Sequence, residues 1–269
     1  PGETAEAYGE RCALSLETEI LTYGPEKIAA FIAEPVVGAT LGCVAAVTGY
    51  FKKIREICDK YDVLLILDEI MAGCGRTGTY FAFEQEQIIP DLVTVAKGIG
   101  GGYQPLAATI CKSFIHDQIV NSFGLFEHGH TYVGHATACA AGVAVMDVLD
   151  RDNLVQKVNT NGDKLMKCLK DKFDDHPNVG DIRGRGLFIG LEFVLDKDSK
   201  KAPGPELELP KKLKKSAMNH GLICYPGGGT VDGVNGAHIL LAPPFIDQES
   251  HIEELVEKLG RAISEQKFD

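Results

Sequence analysis

The sequence predicts an α/β fold, with a mostly parallel, helix-flanked sheet in residues 1–150 and a smaller α+β domain in residues 151–269. Three observations carry this. Val63-Leu64-Leu65-Ile66-Leu67 is an unbroken apolar run, the pattern of a central strand with both faces covered. Phe51, Ile54, Ile57 and Cys58 stand at helical spacing between that run and an earlier one at 28–33, which reads as strand, helix, strand. Beyond Asp150-Arg151-Asp152-Asn153 the alternation gives way to one long helix and clustered short strands, so the domain boundary is placed there.

The elements follow in chain order. Residues 5–21 have helix-forming composition, and Tyr23-Gly24-Pro25 breaks them before the strand at 28–33. A helix over 48–61 precedes the central strand. Strands are expected at 92–96 and 105–111, and the short connection between them leaves no room for a helical crossover, so the second runs antiparallel to the first. A small-residue helix spans 134–149. In the second domain a helix reaches about Phe173, and strands lie near 181–183 and 187–194. A helix from about Leu209 stops at Gly221, a residue suited to a left-handed position. Strands near 222–225 and 238–241 precede a final helix with Asp247 as its N-cap and Ile252, Leu255, Val256, Leu259 and Ile263 on one stripe.

Composition excludes several classes of function. The net charge is −11 and 45% of residues are hydrophobic, which fits a globular chain without a basic field for nucleic acid. The cluster Lys211, Lys212, Lys214 and Lys215 reads as the solvated face of a helix. No apolar run approaches the roughly 20 residues that span a bilayer. Eight evenly spread cysteines without Cys-x-x-Cys read as reduced thiols in a reducing compartment. A cytoplasmic location is expected, although the first residue is Pro1 and a targeting segment could lie upstream.

Four segments are candidates for chemistry. Gly73-Cys74-Gly75-Arg76-Thr77-Gly78 has the spelling of a dinucleotide loop, but five residues separate it from the strand and bulky residues follow, so that reading is set aside. Asp68 closes the central strand, where open α/β sheets bind ligands. With a side-chain period of two, Ile70 points the same way as Asp68, and Glu69 points opposite. Lys97 ends the strand at 92–96 and precedes Gly98-Ile99-Gly100-Gly101-Gly102. A lysine at a buried strand end with room for a large group suits Schiff-base chemistry; a solvent-exposed terminus is the alternative. Glu127-His128-Gly129-His130-Thr131-Tyr132-Val133-Gly134-His135 opens a helix. No acid or cysteine there has ligand spacing, so an anion held at Thr131 is preferred over zinc, and no metal site is expected. The remaining histidines, at 116, 176, 220, 238 and 251, show no pairing and read as surface or capping residues.

Together, Ile32-Ala33-Glu34-Pro35-Val36-Val37-Gly38-Ala39, Leu65-Ile66-Leu67-Asp68-Glu69-Ile70, Ala96-Lys97-Gly98-Ile99-Gly100-Gly101-Gly102 and Gly129-His130-Thr131-Tyr132 resemble the class III aminotransferases, pyridoxal-phosphate enzymes of fold type I. Arg183-Gly184-Arg185-Gly186-Leu187 and Leu241-Ala242-Pro243-Pro244-Phe245 extend the resemblance over nearly the whole chain.

The resemblance implies pyridoxal 5′-phosphate as cofactor, with Lys97 as its covalent anchor, Asp68 paired with the pyridine nitrogen and Ile70 packed on the ring. Thr131 would donate to the phosphate bound by the partner subunit of a homodimer with shared active sites. A carboxylate about 4 Å from a pyridinium contributes about 4 kcal/mol at an effective dielectric near 20, enough to keep the ring protonated. The implied reaction moves an amino group from an amine or ω-amino acid to a 2-oxo acid such as pyruvate. A lyase, decarboxylase or aminomutase of the same family, or a noncatalytic fragment, is the alternative. Ala39 and Leu240 stand where relatives acting on ornithine or γ-aminobutyrate carry a glutamate and, nearby, an arginine. Family members run to more than 400 residues, so an N-terminal part with the phosphate cup and a ring-stacking aromatic is expected to be missing, leaving the large domain incomplete.

Overall fold

The computed structural model describes residues 2–268. In chain order its elements are α1 (Ala5–Tyr23), β1 (Ala30–Ala33), β2 (Val36–Val37), β3 (Val44–Ala45), α2 (Tyr50–Tyr61), β4 (Leu64–Asp68), β5 (Leu92–Val95), β6 (Ala108–Cys111), α3 (Ser113–Phe123), α4 (Ala136–Arg151), α5 (Leu154–Phe173), β7 (Val179–Arg185), β8 (Phe188–Phe193), α6 (Leu209–Asn219), β9 (Tyr225–Gly228), β10 (Ala237–Leu241) and α7 (Glu249–Ser264). Two compact units form. One takes the segment ending at Pro35, Ala46–Gly75 and Thr79–Asp152, and the other takes Val36–Ala45, Arg76–Gly78 and the chain from Asn153 onward. The two short segments that belong with the later residues have no counterpart in the sequence expectation, because a stretch of ten residues or fewer carries no periodicity of its own.

In the first unit the sheet order is β1-β4-β5-β6. β1, β4 and β5 run parallel, and β6 is antiparallel to β5, as the short connection requires. α1 starts at Thr4, whose hydroxyl accepts from the Ala7 N–H at 3.2 Å, and stops at Gly24, whose φ is +94°. Ala13 and Ile20 of α1 pack with Phe51, Ile54, Ile57 and Cys58 of α2 and with Leu65 and Leu67 of β4. Gly9 permits that close approach, since a Cβ there would lie 2.6 Å from the Val47 Cγ2. Asp91 ties the layers together. Its Oδ2 accepts from the Leu65 N–H at 2.8 Å and pairs with Arg55 at 2.7 Å, while Oδ1 pairs with Lys112 at 2.8 Å. Burial raises the Asp91 pKa, but the Leu65 N–H and the two cations outweigh it and hold it below the ordinary carboxylate range.

Coverage of β4 differs from the expectation of two buried faces. Leu65 and Leu67 are fully buried, whereas Leu64 and Ile66, on the other face, are half-buried and Ile32 beside them is exposed. The helices described here pack against one face only, so the apolar run records a second face that this chain leaves partly open.

The second unit is an antiparallel sheet in the order β7-β8-β10-β9. One face carries Ile189, Leu191, Phe193, Ile239 and Leu241, which pack against Leu165 and Leu169 of α5, Leu213 of α6 and Ile252 and Leu259 of α7. α6 stops before Gly221, whose φ is +74°. α7 is capped by Gln248 rather than Asp247, which lies one residue further out and pairs with His251 at 3.4 Å.

The opposite face of that sheet holds the segment Val36–Ala45, a β2-β3 hairpin absent from the sequence expectation. Arg183 clamps it, with Nε donating to the Gly42 carbonyl at 3.0 Å and Nη2 to the Leu41 carbonyl at 2.6 Å. Gly190 lets the backbones meet, because a Cβ there would overlap the Gly42 oxygen at 2.2 Å. His238 lies under the same turn and is 0% exposed. This corrects the expectation of a surface or capping residue: alternation along β10 turns His238 onto the hairpin-covered face. Its nitrogens have no hydrogen-bond partner among the described residues, and burial, with Arg183 adding to it, pushes its pKa down to about 4. His220 and His251 are also paired, with Glu265 and Asp247.

No helix among the described residues is long and apolar enough to cross a membrane.

Candidate active site

Two parallel strands end side by side in the first unit. Asp68, the last residue of β4, is in register with Thr94 of β5, and the Glu69 N–H donates to the Thr94 carbonyl at 2.9 Å. Three residues beyond Thr94 comes Lys97. Both candidate groups therefore leave the C-terminal ends of adjacent strands, the place where open α/β sheets bind ligands. The turns beyond them meet as well: a Cβ on Gly98 would lie 3.0 Å from the Cys74 Cβ.

β4 stops at Asp68, so the period of two does not extend to Ile70, which sits in the turn. A hydrogen bond joins the two residues instead, with Asp68 Oδ1 accepting from the Ile70 N–H at 2.9 Å. Asp68 and Ile70 are half-buried.

Glu69 does point opposite, and it is fully buried. Its Oε2 accepts from the Ala82 N–H and its Oε1 from the Phe83 N–H, both at 2.9 Å. Burial outweighs these bonds and the Glu69 pKa rises to about 7. Gly73 leaves room for it, since a Cβ there would come within 3.0 Å of the Glu69 Cβ. Glu69 thus fastens the turn that follows Asp68 to the backbone at 82–83. The glycine-rich loop 73–78 leads through bends into a single 3-10 turn at Ala82–Glu86 and not into an α-helix, so it lacks the architecture of a dinucleotide site.

Lys97 has a φ of +48°, the left-handed region that costs a non-glycine residue roughly 1 kcal/mol. The turn is held by the Ile99 N–H to the Ala96 carbonyl at 3.2 Å and the Gly101 N–H to the Gly98 carbonyl at 3.1 Å. Lys97 is exposed, as in the solvent-exposed alternative and not the buried strand end: the turn after β5 places it on the wall of a cavity of about 940 Å³. Gly102, Leu106, Tyr132, His135 and Ala138 line the same space.

Thr131 is exposed and lies in a turn five residues before α4 begins. It is not at the helix N-terminus, because His135 takes the N-cap position and its Nδ1 accepts from the Ala138 N–H at 3.4 Å. Its neighbours His130 and Tyr132 reach the cavity wall.

The sequence reading missed two residues here. Glu69 acts as a clamp, which only its burial reveals. Thr94 faces Asp68 across the ladder, a placement legible only once the strand register is known.

The family model described as Aminotransferase class-III matches residues 3–263. An uncharacterized aminotransferase of Schizosaccharomyces pombe is 48% identical over 263 residues, covering 98% of this chain and 57% of that protein. An aminotransferase of Gibberella zeae is 46% identical over 263 residues, covering 97% of this chain and 52% of its own length. The crystal structure of an (S)-enantioselective omega-transaminase from Thermomicrobium roseum aligns with a TM-score of 0.90 at 37% identity, covering 98% of this chain and 56% of that one. The chain spans about half the length of the curated relatives it matches.

Proposed function

The chain belongs to the class III aminotransferase family, and on that premise we propose that the intact protein moves an amino group from an amine or ω-amino acid to a 2-oxo acid such as pyruvate. The observation that carries the proposal is the convergence of an acid and an amine on adjacent strand ends: Asp68 is in register with Thr94, three residues ahead of Lys97. The name of the omega-transaminase neighbour supports the choice of donor class.

The residues present fit pyridoxal 5′-phosphate. Lys97 borders a cavity roomy enough for a ring and its phosphate, and small residues follow it. Asp68 would hold the ring nitrogen, Ile70 the ring face, Lys97 the carbonyl carbon, and Thr131 the phosphate of the partner subunit in a homodimer. When bound, the cofactor supplies an electron sink for the substrate's Cα–H electrons.

The chain's own groups do the rest. The Ile70 N–H fixes one oxygen of the Asp68 carboxylate, and that negative charge would hold a proton on the ring nitrogen. Lys97 Nζ would anchor the cofactor, and the same amine is placed to take and return the substrate's Cα proton. Glu69 holds the Asp68–Ile70 turn from behind and stays out of the proton path, because its carboxylate faces the backbone at 82–83.

The test incubates the intact protein with pyridoxal phosphate, an amine donor and pyruvate. Alanine is expected to accumulate, and Lys97→Ala is expected to abolish it. Carbon dioxide or ammonia release without alanine would instead indicate a decarboxylase or lyase on the same framework.

A further inference from the structure

Resting on the function proposed above, we propose that Gly142 is a positioning residue for substrate selection: by leaving room beside α4 for the Leu106 side chain, it keeps that side chain out of the Lys97 cavity, which therefore admits amines with a bulky apolar group.

The helix α4 is built from small residues, with alanine at 136, 138, 140, 141 and 144. Glycine in a helix interior is destabilising relative to alanine, because it orders a freer backbone and packs no side chain. Gly142 nevertheless stands in the middle of α4 and is buried. Space accounts for it. A Cβ at 142 would lie 2.7 Å from the Leu106 Cδ2, closer than side-chain carbons approach, while the Ile99 oxygen, at 3.5 Å, is at ordinary contact distance.

Leu106 is half-buried and has two surroundings. On one side lie α4 and the turn at Gly100, where an added Cβ would meet the Leu106 Cβ at 3.6 Å; on the other, Leu106 lines the cavity of about 940 Å³ that Lys97 borders. Ala138, one turn earlier on the same face of α4, is buried and lines that cavity too. A methyl group at 142 meets the free end of a leucine and not backbone, so the side chain gives way and the helix does not. With α4 behind it and Gly100 beside it, Leu106 has the cavity as its open side. Pro105, Leu106, Ala107, Val133 and Ala138 make much of that wall apolar. In an apolar pocket, one methylene of room changes kcat/KM by roughly 10- to 200-fold. Gly142 is not itself on the wall; it acts through Leu106.

The test compares benzylamine and propylamine as donors to pyruvate in the intact protein loaded with pyridoxal phosphate, and follows the Leu106 methyl groups by NMR in the cofactor-free protein. In Gly142→Ala the kcat/KM for benzylamine should fall about tenfold, through KM, with less than about a twofold change for propylamine. The Leu106 methyl resonances should shift, and adding Leu106→Ala should restore benzylamine turnover. If Gly142→Ala misfolds, Leu106→Phe, which fills the cavity from the same point with Gly142 in place, should lower the ratio of benzylamine to propylamine turnover instead. An equal loss for both donors, or a selectivity change that Leu106→Ala leaves in place, would make Gly142 merely a helix-packing residue and overturn the inference. Unmoved Leu106 resonances, or wild-type turnover of propylamine alone, would overturn it as well. Wild-type protein that forms no alanine from either amine would instead count against the proposed function, and this inference with it.

Discussion

Replacing His238 by leucine tests how the second unit is built. The imidazole is 0% exposed beneath the turn at Gly42, where a Cβ would lie 2.8 Å from its Cδ2. On its other side a Cβ on Gly227 would come within 2.5 Å of its Cε1. Among the described residues no acceptor pairs with either ring nitrogen, and Arg183 stands nearby as a like charge. The folded pKa is about 4, against roughly 6.5 in an unfolded chain. Between these values the unfolded state takes a proton that the folded state refuses, so the neutral form's contribution is whole above about pH 6.5 and is lost as pH falls toward 4. The linkage relation gives about 2 kcal/mol lost between pH 7 and pH 5 from this residue alone. The chain has no tryptophan, so urea unfolding is followed by circular dichroism at the two pH values. His238→Leu should remove about 2 kcal/mol of that pH dependence. If the wild type and the variant lose the same stability between pH 7 and pH 5, the imidazole is not held neutral and the reasoning fails.

Three further outcomes are expected. Glu69 has the opposite sign: its folded pKa of about 7 exceeds the ordinary value near 4.3, so stability is greater at low pH and falls as pH rises through 7. The loss between pH 5 and pH 8 is about 2 to 3 kcal/mol, and Glu69→Gln should flatten it in the same denaturation experiment. Asp91→Ala leaves the Leu65 N–H without its acceptor and Arg55 and Lys112 without this partner, and should cost about 3 kcal/mol, read as a lower urea midpoint. Asp68→Asn removes the charge proposed to hold the ring proton, and should lower kcat at saturating cofactor by about 10²-fold or more; an unchanged kcat would remove its role.

Much of the fold was legible because its signals are local. Helical spacing at Phe51, Ile54, Ile57 and Cys58 places α2, and the short connection after Lys97 requires the antiparallel β6. The placement of Asp68 and Lys97 at neighbouring strand ends was legible for the same reason, as they punctuate two apolar runs. What escaped depends on contacts between distant residues. The Val36–Ala45 segment is placed by Arg183 and Gly190, some 140 residues later. His238 looks like a surface residue until β10 is known to turn it under that segment. For Lys97 the sequence leaves a buried strand end and an exposed terminus both open, and the turn at its φ of +48° places it outward. Thr94 carries no signal by type or spacing; its placement opposite Asp68 is a matter of register, which one strand's sequence does not specify.

The central claim is that Lys97 is the amine to which pyridoxal phosphate attaches, with Asp68 at the neighbouring strand end. Borohydride reduction of the intact protein with pyridoxal phosphate, followed by proteolysis and peptide mass spectrometry, tests it directly. A stable pyridoxyl label on the peptide carrying Lys97 is the expected result, absent from Lys97→Ala. A label on another lysine, or none on protein that binds the cofactor, would contradict the account.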